Sequence, residues 1–107
     1  MALRTVYKTI TEVASGEASS EIYTALEGLP ARIHSVWVEV NASKRLRIYV
    51  AQDMIVEISL DIDATTQMPI PIDWPLVTGN TVKVAIYDDA GSASTTDVAV
   101  TINESVA

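Results

Sequence analysis

Apolar and polar residues alternate with a period of two along most of this chain. In residues 45–50, Leu46, Ile48 and Val50 share one face and Arg45, Arg47 and Tyr49 the other. In 54–62, Met54, Val56, Ile58, Leu60 and Ile62 point one way, against Ile55, Glu57, Ser59 and Asp61. Val82, Val84 and Ile86 repeat the pattern, as do Val98, Val100 and Ile102. A period of two places alternate side chains on opposite faces of a strand, and no window sustains the 3.6-residue period of a helix. One apolar and one polar face per strand is the signature of antiparallel sheets packed on one side only. Turn residues punctuate the pattern at Ser15-Gly16-Glu17, Glu27-Gly28-Leu29-Pro30, Asn41-Ala42-Ser43-Lys44, Gln52-Asp53, Gly79-Asn80 and Asp88-Asp89-Ala90-Gly91-Ser92. Those breaks give about eight strands and predict an all-β fold, an antiparallel β-sandwich or small barrel. The last break is expected to close a hairpin between 81–87 and 95–103.

The segment 69–77 carries three prolines. Ile70, Ile72, Trp74 and Leu76 fall on one face, and Pro69, Pro71, Asp73 and Pro75 on the other. Proline cannot donate to a sheet ladder, so this reads as an edge strand whose open side is protected against further pairing. Two strands are less regular. Val6 and Ile10 share a face with Lys8 and Glu12, and Ile33 is out of phase with Val36, Val38 and Val40. A bulge near His34-Ser35 reconciles the latter.

Composition strengthens the β reading. The 13 Val, 11 Ile and 11 Thr among 107 residues make the chain rich in β-branched side chains, which suit a pleated sheet. The length corresponds to a single domain spanning 1–107. With no cysteine there is neither a disulfide framework nor a thiolate zinc site. The first residues lack the apolar core of a secretory leader and no stretch matches a membrane-spanning helix, so a soluble cytoplasmic product and no membrane partner are expected. The net charge of −7 argues against nucleic acid as a partner. It is uneven: residues 1–50 hold six basic and five acidic groups (+1), residues 51–107 one basic and nine acidic (−8).

Candidate chemistry is sparse. His34 is the sole histidine, so no histidine-rich metal site forms, and no nucleophile-elbow sequence accompanies it. Asp61, Asp63, Asp73, Asp88, Asp89 and Asp97 are candidates for a calcium site and the only candidates for an acid–base pair, but no calcium-loop motif orders them and nothing singles out a pair. Asn41-Ala42-Ser43 matches a glycosylation sequon, but without a secretory leader it reads as a plain turn. No cofactor and no enzymatic activity are expected. Trp37, Tyr49, Ile55 and Tyr87 fall on outward faces. There they would anchor a protein interface, pack within the monomer, or, for the aromatics, stack on a sugar. A mean hydropathy of +0.25 in so acidic a chain leans towards subunit contacts.

One resemblance rests on the order of these stretches: GLPARIHSVWV, then RIYV, then PIDWPLVTGNTVKV, then DVAVTI. The pattern, over about residues 3–104, resembles small jelly-roll β-sandwich virion proteins, in particular head decoration (cement) proteins of tailed phages. It implies a structural protein of the capsid exterior, assembled in the host cytoplasm. Such a protein would be homo-oligomeric, with a trimer favoured, and would have the major capsid protein as partner. Its ends, 1–4 and 104–107, would become ordered on a neighbour. The alternative is a carbohydrate- or receptor-binding β-sandwich module of a virion or tail, using Trp37, Tyr49 or Tyr87 as stacking platforms.

Overall fold

A computed structural model describes residues 2–27, 30–39, 44–60, 69–89, 91 and 94–104. Eight strands run in the order β1 (Ala2–Thr11), β2 (Glu17–Thr24), β3 (Ala31–Val38), β4 (Lys44–Val50), β5 (Asp53–Ser59), β6 (Ile70–Leu76), β7 (Thr81–Asp88) and β8 (Thr95–Glu104). They form two four-stranded sheets, β1-β8-β3-β6 and β2-β7-β4-β5. Every pairing is antiparallel. The alternation predicts the antiparallel sandwich, and the strand order is that of a jelly roll, as the resemblance implies.

The core is made by the inward rows of both sheets. Ile33, Val36, Val100 and Ile102 from the first sheet, with Leu46, Ile48, Val82, Val84 and Ile86 from the second, are fully buried. Removing each such side chain from water contributes about 1.5–3 kcal/mol, the main force closing the sandwich. Residues directly opposite one another share a face. Val6, Val100 and Val36 therefore form one inner row, and Tyr7, Ala99 and Trp37 the next, outer one.

The prolines lie on the edge strand where the sequence places them, but Trp74, expected on the buried face with Ile70, Ile72 and Leu76, is 43 % exposed, because Asp73 at φ 52° interrupts the regular alternation. β6 is an edge strand of the first sheet and pairs only with β3. The expected β3 bulge is present, with a register shift between Ile33 and Ser35 against both neighbours. It returns Ile33 and Val36 to the same inner face. The mixed face of β1 is also accounted for. Ile10 and Glu12 are buried and Lys8 is exposed, because β1 is the other edge of its sheet.

Three further expectations are corrected. The segment 88–92 does not close a hairpin, since β7 and β8 lie in different sheets. Among the described strands only β4 and β5 are both consecutive and paired; every other link crosses the sandwich. Turn residues reverse a chain equally well within a sheet or across the core, and the long-range partners β2, β4, β1 and β3 decide which. Residues 2–4 are not a loose end but the start of β1, paired to β8 along its length. Ile55 does not point outward. β5 carries a bulge, with Ile48 opposite Val56 but Tyr49 opposite Met54. The extra residue, Ile55, turns inward and packs against the core, leaving Met54 exposed. Val40 lies outside the described residues.

Candidate binding surface

The outer faces of the two sheets differ in kind. On the second sheet the pairing stacks outward residues into three rows: Glu17-Tyr87-Arg45-Ser59, Ser19-Ala85-Arg47-Glu57 and Glu21-Lys83-Tyr49-Met54. Arg47 donates through Nε to Glu57 at 2.7 Å and through Nη1 to Glu17 at 2.8 Å. The Tyr49 hydroxyl also donates to Glu17, at 2.8 Å. The Arg47 guanidinium lies 4.5 Å from the centre of the Tyr87 ring, and Lys83 Nζ 4.9 Å from that of Tyr49. Burial of Glu17 opposes its charge, but the Arg47 and Tyr49 hydrogen bonds outweigh it and hold the carboxyl below its ordinary range. Tyr49 and Tyr87 are thus half-buried members of a self-satisfied ionic lattice, their rings already engaged by cations.

The first sheet presents a different surface. Its outer rows are Thr5-Thr101-Ser35, Tyr7-Ala99-Trp37 and, one step on, Thr9-Asp97. Tyr7 is 60 % exposed and Trp37 half-buried. Ala99 lies between the two aromatic residues, whose strands are two spacings, about 10 Å, apart. Hydrogen-bonding groups occupy the neighbouring rows. Thr5 and Thr101 hydroxyls are 3.1 Å apart, Thr9 donates to Asp97 at 2.7 Å, and the Asp97 amide donates to Glu39 at 2.9 Å. The Tyr7 hydroxyl also bonds to Asp97, which raises the phenol above its usual range. Hydrogen bonds from Thr9 and Tyr7 lower the Asp97 carboxyl.

The remaining sequence candidates disperse. Trp37 lies on one sheet and Tyr49 and Tyr87 on the other, so they do not form one interface. Ile55 lines a cleft of about 220 Å³ between the edge strands β5 and β6, with Val50, Ala51, Trp74, Pro75 and Val77. His34 is exposed on its bulge, Nδ1 3.1 Å from Ser35 Oγ. Asp73 pairs with Arg32 at 2.7 Å and Asp89 with Arg45 at 3.0 Å, both on the surface. No group of carboxylates or histidines suited to a metal ion occurs among the described residues. Asp61, Asp63 and the sequon at 41–43 lie outside them.

Sequence reasoning missed two features. Tyr7 was legible from its alternation with Thr5 and Thr9, but the mixed face of β1 obscured it. The second feature is a buried ionic cluster at one end of the sandwich. Lys44 Nζ lies 2.9 Å from Glu12 Oε1 and 2.9 Å from Asp88 Oδ1, with side-chain exposures of 3 % for the lysine and 0 % for both carboxylates. Glu12 also accepts from the Thr96 hydroxyl and, at 3.1 Å, from the Ser94 amide. Asp88 Oδ2 accepts from the Ser15 amide at 3.1 Å. Burial works against the charge of Glu12, but the Thr96 and Lys44 hydrogen bonds outweigh it and lower its pKa. Burial likewise opposes the Lys44 charge, and its two carboxylates raise its pKa nonetheless. Lys44 and Asp88 are therefore not the solvated turn residues their sequence positions suggest.

No family profile matches the chain, and no curated protein matches it. Among solved structures it is similar to a family 35 carbohydrate-binding module from an environmental isolate, at 10 % identity over 89 % of this chain and 69 % of that one, with a TM-score of 0.42. It is also similar to carbohydrate-binding module CBM36 in complex with calcium and xylotriose, at 8 % identity over 90 % and 78 %, TM-score 0.43. A third is FLHE, at 14 % identity over 94 % and 97 %, TM-score 0.41. No residue role passes to this chain from likenesses of this degree.

Proposed function

We propose that this protein is a non-catalytic binding module that docks a neutral glycan on the outer face of the first sheet. The observation that supports this reading is the Tyr7-Ala99-Trp37 row with its border of hydroxyls and carboxylates. An aromatic ring face is electron-rich and attracts the polarised C–H groups of a sugar ring, while the sugar hydroxyls need donors and acceptors at the rim. Asp97, Glu39 and the net charge of −7 disfavour acidic sugars. Tyr49 and Tyr87 are not part of the site, because Lys83 and Arg47 already engage their rings.

The test is a titration with neutral oligosaccharides followed by tryptophan fluorescence. The chain has two tryptophans, so a Trp74→Phe background makes Trp37 the sole reporter. A saturable change is expected. Trp37→Ala, followed by calorimetry, should weaken binding about tenfold, ~1.4 kcal/mol for one stacked ring. No response across a broad panel of neutral glycans removes the proposal.

A second reading is a structural virion protein that decorates a phage head as a homo-oligomer, with the major capsid protein as partner. It is favoured by a different surface: Met54, Trp74 and Val77 are 50 %, 43 % and 70 % exposed beside the β5–β6 cleft. Light scattering coupled to size exclusion tests it. A trimer would support it, whereas a monomer at every concentration with no affinity for capsids would eliminate it.

A further inference from the structure

Each member of the buried cluster ends the inward apolar row of its strand. Glu12 follows Ile10 by two positions, Lys44 precedes Leu46, Asp88 follows Ile86, and Thr96 precedes Val98. The three ionised side chains thus sit where the register calls for apolar ones, in a site closed to solvent. Lys44 and Asp88 are also direct cross-strand partners on β4 and β7. Burying an ammonium and two carboxylates together is costly. Condensing the amine with one carboxylate would remove two of the three charges.

We infer that Lys44 and Asp88 form an intramolecular amide bond, with Glu12 as the proton carrier. The two carboxylates are not equivalent. Glu12 Oε1 lies within reach of a Lys44 ammonium proton, and the Ser94 and Thr96 hydrogen bonds hold the carboxylate in place and favour its anion, so it carries that proton only transiently. Asp88 holds Oδ1 on the Lys44 amine and Oδ2 on the Ser15 amide. That amide stands ready to stabilise negative charge developing on Oδ2, as an oxyanion hole does.

The step balances within the cluster. Glu12 takes a proton from the Lys44 ammonium, and the freed Nζ attacks Asp88 Cγ. Electrons move onto Oδ2, held by the Ser15 N–H. The new bond is Nζ–Cγ and the broken bond Cγ–Oδ1. Oδ1 collects two of the three ammonium protons, one relayed by Glu12, and departs as water. The third stays on the amide nitrogen, Oδ2 becomes its carbonyl oxygen, and Glu12 ends as it began. Lys–NH₃⁺ and Asp–COO⁻ give one amide and one water, with no oxidant, reductant or co-substrate. Nζ lies 2.9 Å from an oxygen of each carboxylate, which brings the amine, the proton carrier and the carboxyl to be attacked together. The product would be a covalent tie between the two central strands of the second sheet.

Intact mass spectrometry of the folded, purified chain, sampled over days at neutral pH, tests this directly. The expected result is a species one water lighter than the sequence mass. Its protease digest should yield a linked peptide pair joining Lys44 to Asp88. Lys44→Arg keeps the positive charge and should retain the full mass. Glu12→Gln, checked for folding by circular dichroism, should abolish or greatly slow the loss of water. A wild-type chain that keeps its full sequence mass throughout overturns the proposal whatever the variants do. A link mapped to Glu12, or an unchanged rate in folded Glu12→Gln, overturns the assigned roles.

Discussion

At the residue scale, one carboxylate links the two sheets. Glu12 directly follows β1 of the first sheet, whereas Lys44 and Asp88 belong to β4 and β7 of the second. Its pKa is held below the ordinary value of 4.5. A carboxyl with a depressed folded-state pKa stabilises the fold fully above the unfolded value. That contribution disappears as pH falls through the folded value. The urea midpoint of the wild type should therefore drop as pH is lowered below about 4.5, and Glu12→Gln should flatten that drop. At pH 7 the same substitution should cost about 2 kcal/mol, the range for a hydrogen bond to a buried charged group. Equal acid sensitivity in the two proteins would assign the pH dependence elsewhere. Glu17, also depressed but on the other face of its strand, is the first group to examine then.

At the element scale, the edges of the sheets are managed by local chemistry. β6 pairs with β3 on one side only, and Pro71 and Pro75 remove two backbone donors from the strand. Asp73, at φ 52°, sits in a left-handed conformation that interrupts the ladder further. Replacing both prolines by valine restores the donors and β propensity at an exposed edge beside Trp74. The double variant should self-associate with rising concentration while the wild type does not change, as read by light scattering. An unchanged association state would show that the bulge at Asp73 alone protects the edge. The β3 bulge acts differently, since it keeps Ile33 and Val36 inward on either side of His34 and preserves the core.

At the scale of the whole molecule, the sandwich is fastened across the core near both ends of β8. At one end, Thr96 joins the Glu12–Lys44–Asp88 cluster. At the other, the Tyr23 hydroxyl of the second sheet donates to Glu104 of the first at 2.7 Å. Burial and Glu104 together push the Tyr23 phenol up to about 12. A raised phenol pKa stabilises the fold below the unfolded value of 10.0, and that contribution is lost as pH rises through the folded value. Tyr23→Phe should cost about 1 kcal/mol at neutral pH, one net hydrogen bond. The two fasteners are about 27 Å apart, eight residues of extended strand. The losses from Tyr23→Phe and Glu12→Gln should therefore add within about 0.5 kcal/mol in the double variant. A large coupling energy would mean that the sheets respond as one rigid unit.

The sequence by itself determined the strands, most of the inward residues, the proline edge and the His34 bulge. These follow from the period-two alternation and from the geometry of proline, both encoded within a few neighbouring residues. Tertiary structure decided the rest. Turn residues between β7 and β8 cannot specify whether the chain pairs or crosses the core, because that depends on partners far along the sequence. The bulge that sends Ile55 inward shows only against β4. Trp37 and Tyr7 are 30 residues apart in sequence and become one surface only because both flank Ala99 of β8. Glu12, Lys44 and Asp88 each look like polar residues at a strand end. Folding the two sheets together removes water from all three and gives them a common chemistry.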